Sequence, residues 1–312
     1  MNYQMIGFVI GRILLTEAVL LLVPTLTAML YGESLNPFLI TIFILVTAGW
    51  GLCVRKPKKT ALYARDGFAV VALAWIAMSL FGALPFVISG DIPNYVDALF
   101  ETISGFTTTG ATVLAVVEEM SKSGLMWRSF THWIGGMGVL VFVMAILPMT
   151  DGHGMHLMRA ETPGPTSGKL VSRMGDSAKI LYGIYIGLTL ILFVLLVAGG
   201  MPIFDAWVHT FSTAGTGGFS SLSLSIGGYH NLYFEIVLGI FMLLFGTNFT
   251  WYYFLLMRRF RDALRFEEVR IYLLIVLAAV IGITVDILPL YGSFGTSLRH
   301  AFFQTSAIIT TT

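Results

Sequence analysis

The chain is 312 residues long, 56% hydrophobic and only 11% charged, with a formal net charge of +1. An ordinary soluble domain carries roughly 25% charged residues, so this composition excludes a soluble globular protein, and the near-neutral balance excludes bulk attraction to nucleic acid. The single Cys53 excludes an internal disulfide and argues against a thiolate metal site; it reads as a small apolar filler.

A helix needs about 20 mainly apolar residues to cross ~30 Å of hydrocarbon. The first such segment, Ile6 to Leu30, lacks the basic leader and the small-x-small site of a signal peptide and reads as a span. Pro37 to Val54 follows after only Tyr31 to Asn36, giving a peripheral N-terminal hairpin. Phe68 to Ile88, Trp127 to Met149, Ile180 to Ala198, Leu232 to Met257 and Ile271 to Leu290 complete the predicted spans. Arg55, Lys56, Lys58, Lys59 and Arg65 lie after the second span, and Arg159, Lys169, Arg173 and Lys179 after the fourth. Arg258, Arg259, Arg261, Arg265 and Arg270 follow the sixth. These three loops hold 14 of the 18 basic residues, so the positive-inside rule puts them and the N-terminus in the cytoplasm. The opposite loops carry Lys122, Arg128 and Arg299 but also Glu33, Asp91, Asp97, Glu101, Glu118, Glu119 and Asp205, which predicts an acidic outer face.

Between the spans one motif recurs on that outer side. Asp97 to Thr112 reads DALFETISGFTTTGAT, Asp205 to Ser220 reads DAWVHTFSTAGTGGFS, and from His300 the chain reads HAFFQTSAIITTT. Ala98, Ala206 and Ala301 share a column, as do Thr102, Thr210 and Thr305; Gly110 and Gly218 share another. A Thr/Gly stretch seen once is usually a turn, but three in one register imply a shared purpose. Two spans separate successive copies, so the repeats are parallel rather than inverted and suit an axis along the membrane normal. Each unit reads as span, re-entrant segment, span, with about nine helix-compatible residues, Asp97 to Gly105, Asp205 to Thr213 and His300 to Ile308, before the Thr/Gly stretch. Non-helical backbone at membrane depth is tolerated only where it is buried in protein or lines a water-filled cavity.

The chemistry of such a stretch suits a partly dehydrated monovalent cation, which needs a ring of oxygens in place of water. Glycine accepts the backbone angles that stacked carbonyls require, and threonine adds a hydroxyl. A short helix aiming its C-terminus at the axis adds about half a negative charge.

These segments resemble the bacterial Trk/Ktr potassium-uptake family, in its TrkH and TrkG branch. The carriers are FETISGFTTTGAT, HWIGGMGVLVFVMAILP from His132 to Pro148, RAETPGP from Arg159 to Pro165, GGFS from Gly217 to Ser220, and AFFQ from Ala301 to Gln304. The resemblance implies an all-α integral membrane pore of four parallel repeats, potassium-channel-like, in a pseudo-fourfold arrangement, with potassium as cargo and sodium or proton coupling left open. It places the selectivity filter at Thr108, Thr109 and Gly110, at Thr216, Gly217 and Gly218, and at Thr311 and Thr312. It also implies a cytosolic nucleotide-binding regulatory subunit of the TrkA type, a homodimer, and residence in the bacterial inner membrane. No resident cofactor and no enzymatic chemistry are expected. The expected divisions are a hairpin at 1–60, a first pore repeat at 61–150, a cytoplasmic loop at 151–179, a second repeat at 180–262 and an incomplete third at 263–312, the fourth being absent. The alternative is a truncated, non-conducting remnant of such a transporter.

Sharper readings of other residues fail on spacing. Gly164 and Gly168 are four apart where a phosphate-binding loop needs five, and Leu170 replaces its Ser/Thr. His153 and His156 have no ligand cluster beyond Asp151 and read as a solvated loop. Gly135, Gly136 and Gly138 follow no strand and suit close helix packing. His209 and His300 read as helix-end packing or hydrogen bonding, and Arg12, a turn or two from the helix end, can snorkel. Glu17 reads as structural too, Asp286 as facing water, and no nucleophile and base pair supports a membrane enzyme.

Overall fold

A computed structural model describes residues 2–55, 57, 64–136, 138 and 174–312, and they form two compact units, Met1–Lys179 and Ile180–Thr312. Every regular element among the described residues is helical. The readings at His153, His156 and Gly164 to Leu170, and the inner part of the predicted span ending at Met149, lie outside the described residues.

In the first unit, α1 (Tyr3–Leu20) and α2 (Leu22–Tyr31) make one 29-residue membrane-length segment, and α3 (Asn36–Cys53) returns beside it. The hairpin closes tightly because Gly11 faces Gly49: a Cβ on either would meet the other's carbonyl oxygen at 2.8 Å. This is the small-residue contact that drives helix association where lipid supplies no hydrophobic force. Arg12 is exposed, 5.8 Å from the Phe8 ring. Helix α4 (Ala64–Gly82) and α5 (Leu84–Ser89) form the next span, and the short α6 (Tyr95–Phe106) and α7 (Lys122–Gly136) follow.

Gly82 is the hub of this unit. Its carbonyl accepts from Trp127 Nε1 at 2.9 Å, and a Cβ there would touch Glu17 Oε1, Phe106 and Thr102 at 3.0 to 3.1 Å. The Phe106 ring meets Trp127 edge-on at 6.0 Å and Trp75 at 6.3 Å, so the end of α6 sits in an aromatic socket.

Helix α8 (Met174–Ala198) leads into the second unit as a span, α9 (Ile203–Ala214) is short, and α10 (Leu232–Phe245) runs into α11 (Phe249–Leu256). A six-residue α12 (Phe260–Arg265) leads to α13 (Glu267–Tyr291), a 25-residue span, and α14 (Phe294–Ile309) ends the chain. The segment read as one span, Leu232 to Met257, is instead two helices bent by 92°. The break has a local cause: α10 caps at Gly246, and the Asn248 side chain accepts from Thr250 N at 2.9 Å and starts a new helix. Tyr252 Oη then donates to Leu244 O at 2.7 Å and fixes the bend.

The re-entrant helices are longer than the nine residues expected, at 12, 12 and 16 residues, yet too short to span. Helix α6 starts two residues early because Asn94 accepts from Val96 N at 2.9 Å. Helix α14 starts as soon as left-handed Gly292 and Ser293 have turned the chain.

Candidate functional site

The three Thr/Gly stretches begin with one backbone device. After α6, Thr108 N donates to Gly105 O at 3.0 Å and Thr109 N to Ser104 O at 2.9 Å. After α9, Thr216 N donates to Thr213 O at 3.0 Å and Gly217 N to Ser212 O at 2.9 Å. After α14, Thr311 N donates to Ile308 O at 3.1 Å and Thr312 N to Ala307 O at 2.8 Å. This pairing is a Schellman helix end, in which the left-handed position normally belongs to glycine. Here it holds Thr108, Thr216 and Thr311, at φ 55°, 56° and 59°. A β-branched residue in that region is strained, by roughly 1 to 3 kcal/mol, and such strain concentrates at functional sites. Two residues on, Gly110 and Gly218 are again left-handed, at φ 74° and 84°.

Side chains support the first and third turns in the same way. Thr107 Oγ1 donates to Ile103 O at 2.7 Å and lies 2.8 Å from Thr109 Oγ1. Thr310 Oγ1 donates to Ser306 O at 2.7 Å and lies 2.8 Å from Thr312 Oγ1. The second turn has Gly215 and Gly217 in those columns, so the departure at Gly217 is one half of a paired loss. Within the second unit, Gly218 packs on the backbone of Thr312, whose carbonyl occupies the space a side chain would need. In the first unit, Gly135 of α7 packs on the Phe106 carbonyl and Thr108 Cγ2, the close helix packing expected of that glycine.

Behind the first turn lies an ion pair that sequence reasoning missed. Glu101 and Arg128 are both fully buried, with Nε 2.5 Å from Oε1. The Glu101 carboxylate also accepts from Thr112 Oγ1 at 2.9 Å and Val113 N at 3.1 Å, and Ser104 Oγ donates to Ala111 O at 2.6 Å. Arg128 is thus an interior residue of α7, not a loop charge. The available signal was the Glu101 column, which is polar in every copy: Glu101, His209 and Gln304. In the second copy, His209 Nε2 lies 3.2 Å from Tyr229 Oη, which is 3.2 Å from Ser221 Oγ, itself donating to Asp205 Oδ1 at 2.7 Å. Burial pushes the Tyr229 phenol up to about 12. His300 stacks on Tyr291 with ring centroids 4.7 Å apart, so His209 bonds and His300 packs, each from the interior of its helix and not at a helix end. Arg299 of α14 forms a two-pronged pair with Glu235 of α10.

The predicted acidic outer face is thinner than its charge count. Glu33 accepts from Lys122 N at 2.7 Å and Ser123 N at 2.9 Å and caps α7. Asp91 accepts from Ser121 N at 3.0 Å, and Glu101 and Asp205 are engaged as described. Glu118 and Glu119 remain exposed.

A cavity of about 400 Å³ lies among α9, α10 and α14, lined by His209, Ser212, Glu235 and Gln304 together with apolar Leu238 and Met242. Ser212 occupies the column of Ser104, yet its hydroxyl has no hydrogen-bond partner among the described residues.

Membrane-length helices bracketing short helices that each end in the same strained turn define a multi-pass, all-α membrane protein of the pore-loop kind, with an N-terminal helical hairpin, as the sequence implied. Residues 34–290 match the family described as TrkH, cation transport protein, and the chain belongs to that family, one of transporters and not enzymes. The chain is similar to the Trk system potassium uptake protein TrkH of Vibrio parahaemolyticus, 40% identical over 80% of this chain and 52% of that protein. It is 37% identical to TrkG of Escherichia coli K12 over 93% of this chain and 61% of that one. TrkH of Salmonella typhimurium is 35% identical over 100% and 66%. The crystal structure of the potassium transporter TrkH from Vibrio parahaemolyticus superposes with a TM-score of 0.83 at 32% identity, covering 99% of this chain and 64% of that one. The chain therefore spans about half to two thirds of the length of these relatives.

Proposed function

We propose that this chain supplies the pore-forming part of a Trk-type potassium-uptake system in the bacterial inner membrane, with Thr108, Thr109, Gly110, Thr216, Gly217, Gly218, Thr311 and Thr312 as ion ligands. The single observation that carries the reading is the threefold turn. Left-handed φ at Thr108 and again at Gly110, with Thr109 between them outside that region, is an alternation that can present successive carbonyls on one side of the chain, and this supports the reading. Stacked carbonyls are what a dehydrated monovalent cation requires. Each helix C-terminus presents partial negative charge to the turn that follows it. The names of the relatives favour potassium among monovalent cations.

The N-terminus and the arginine-rich segment around α12 would face the cytoplasm, where a nucleotide-binding subunit of the TrkA type would dock, and two copies of the chain would pair. Sodium or proton coupling belongs to the same proposal as an open choice of driving ion. An inside-negative potential adds ~2.3 kcal/mol per 100 mV for each entering monovalent ion.

Rubidium and potassium uptake in cells that lack other uptake systems tests the function. Uptake is expected to depend on the chain, and Gly110→Ser to reduce the preference for potassium over sodium by about tenfold, the equivalent of ~1.4 kcal/mol. Unchanged selectivity in Gly110→Ser would remove the filter assignment.

A further inference from the structure

The segment from Phe249 to Arg265 is left over from the transport reading. If α10 crosses the bilayer, the 92° bend turns α11 along it. Helix α11 carries Trp251 and Tyr253, both partly exposed and of the two residue types enriched at the membrane–water interface. It then ends at Arg258, which is left-handed at φ 55°, with Arg258 N donating to Leu255 O at 3.0 Å and Arg259 N to Phe254 O at 2.9 Å. After that turn comes α12, which Trp251 Nε1 ties to α11 by donating to Ala263 O at 3.2 Å. Asn248 Nδ2 ties the bend to the start of α13 by donating to Glu268, at 3.1 and 3.3 Å to its two oxygens.

The surface so formed mixes two chemistries. Leu256, Met257, Phe260 and Leu264 are each at least half exposed. Among them stand the exposed arginines Arg258, Arg261 and Arg265. Arg259 is already committed, 2.7 Å from Asp262 Oδ2 and 5.6 Å from the Phe254 ring. Of the carboxylates nearby, Asp262 and Glu268 are engaged, and Glu267 is exposed at the start of α13. Exposed apolar side chains beside exposed guanidiniums on a segment that leaves the spanning direction match one amphiphile: acyl chain below, phosphate above.

We propose that residues 249–265 form an interfacial site for anionic phospholipid, with Phe260 and Leu264 among the acyl chains and Arg258, Arg261 and Arg265 on the headgroup phosphates. A peptide partner would need a complementary acidic and apolar strip; a phospholipid brings both parts on one molecule. Near an anionic surface each arginine contributes about fivefold in affinity, so three contribute on the order of a hundredfold.

Trp251 lies within the site and reports on it. The full chain in mixed micelles is titrated with brominated phosphatidylglycerol or brominated phosphatidylcholine, whose bromines quench tryptophan on contact, and Trp251→Phe identifies the site's share. Phosphatidylglycerol is expected to quench the Trp251 share at far lower concentration than phosphatidylcholine. The triple variant Arg258→Gln, Arg261→Gln, Arg265→Gln is expected to erase that preference, and the matching triple Lys variant to keep most of it. Phe260→Ser with Leu264→Ser is expected to weaken both lipids alike. Equal quenching by the two lipids, or a preference that survives the Gln variant, overturns the proposal. Loss of the preference on adding inorganic phosphate alone would also overturn it, in favour of a free-anion site. The readout is independent of ion flux, so its failure leaves the transport reading untouched.

Discussion

The turn after α6 and the turn after α9 share one left-handed backbone pattern, with φ at 55° and 56° for the leading threonine and 74° and 84° for the glycine, and differ in almost everything that holds it. The first is clamped: a buried Glu101–Arg128 pair grips Thr112 and Val113, Ser104 holds Ala111, and a hydroxyl pair bridges Thr107 to Thr109. The second has glycines in place of that hydroxyl pair, a histidine in place of the glutamate, and a cavity beside the serine that has lost its acceptor. The backbone device is therefore set by the helix end and the left-handed pair that follows, while side-chain support varies from copy to copy. Rigidity follows support. The second turn is expected to be the more deformable.

The largest effect should come from cutting the clamp. Glu101→Ala leaves Arg128 buried without its carboxylate and is expected to cost about 3 to 5 kcal/mol, read as a fall in the melting temperature of the chain in detergent. His209→Ala removes a neutral contact and should cost about 1 kcal/mol; equal losses would break the contrast between the turns. Next in size, Gly218→Ala meets both a left-handed φ and the Thr312 backbone. It should destabilise by more than the ~1 to 2 kcal/mol that φ alone costs, visible as lower yield and faster exchange of the Thr216 to Ser220 amides. A smaller loss, about 1 kcal/mol, is expected for Thr107→Val, which removes the hydroxyl donated to Ile103 and paired with Thr109. The smallest change has the opposite sign: Thr216→Gly relieves left-handed strain and should raise stability by about 0.4 to 1 kcal/mol or leave it level, once the larger unfolded-state entropy of glycine is counted. A clear loss would mean that the threonine side chain holds the turn after all.

Much of this was legible beforehand because it rests on local, repeating rules. Hydropathy located five of the predicted spans as single membrane-length helices, and repetition singled out the glycine column, Gly110 and Gly218, that proves to be left-handed; the left-handed Thr108, Thr216 and Thr311 came from the family resemblance. Legibility failed where the partner was far along the chain. Arg128 read as a loop charge because nothing near it announces Glu101, 27 positions away. The bend at Gly246 to Asn248 was hidden for another reason: both limbs are apolar enough to pass as one span, and hydropathy does not register direction.

The sequence by itself determined that this is a multi-pass helical membrane protein of the TrkH family, because burial in hydrocarbon and a repeated motif are written residue by residue. Only the tertiary structure decided which charges are structural and which are free. A buried carboxylate and a solvated one are the same letter, and what separates Glu101 from Glu119 is the guanidinium that folding brings within 2.5 Å of the first.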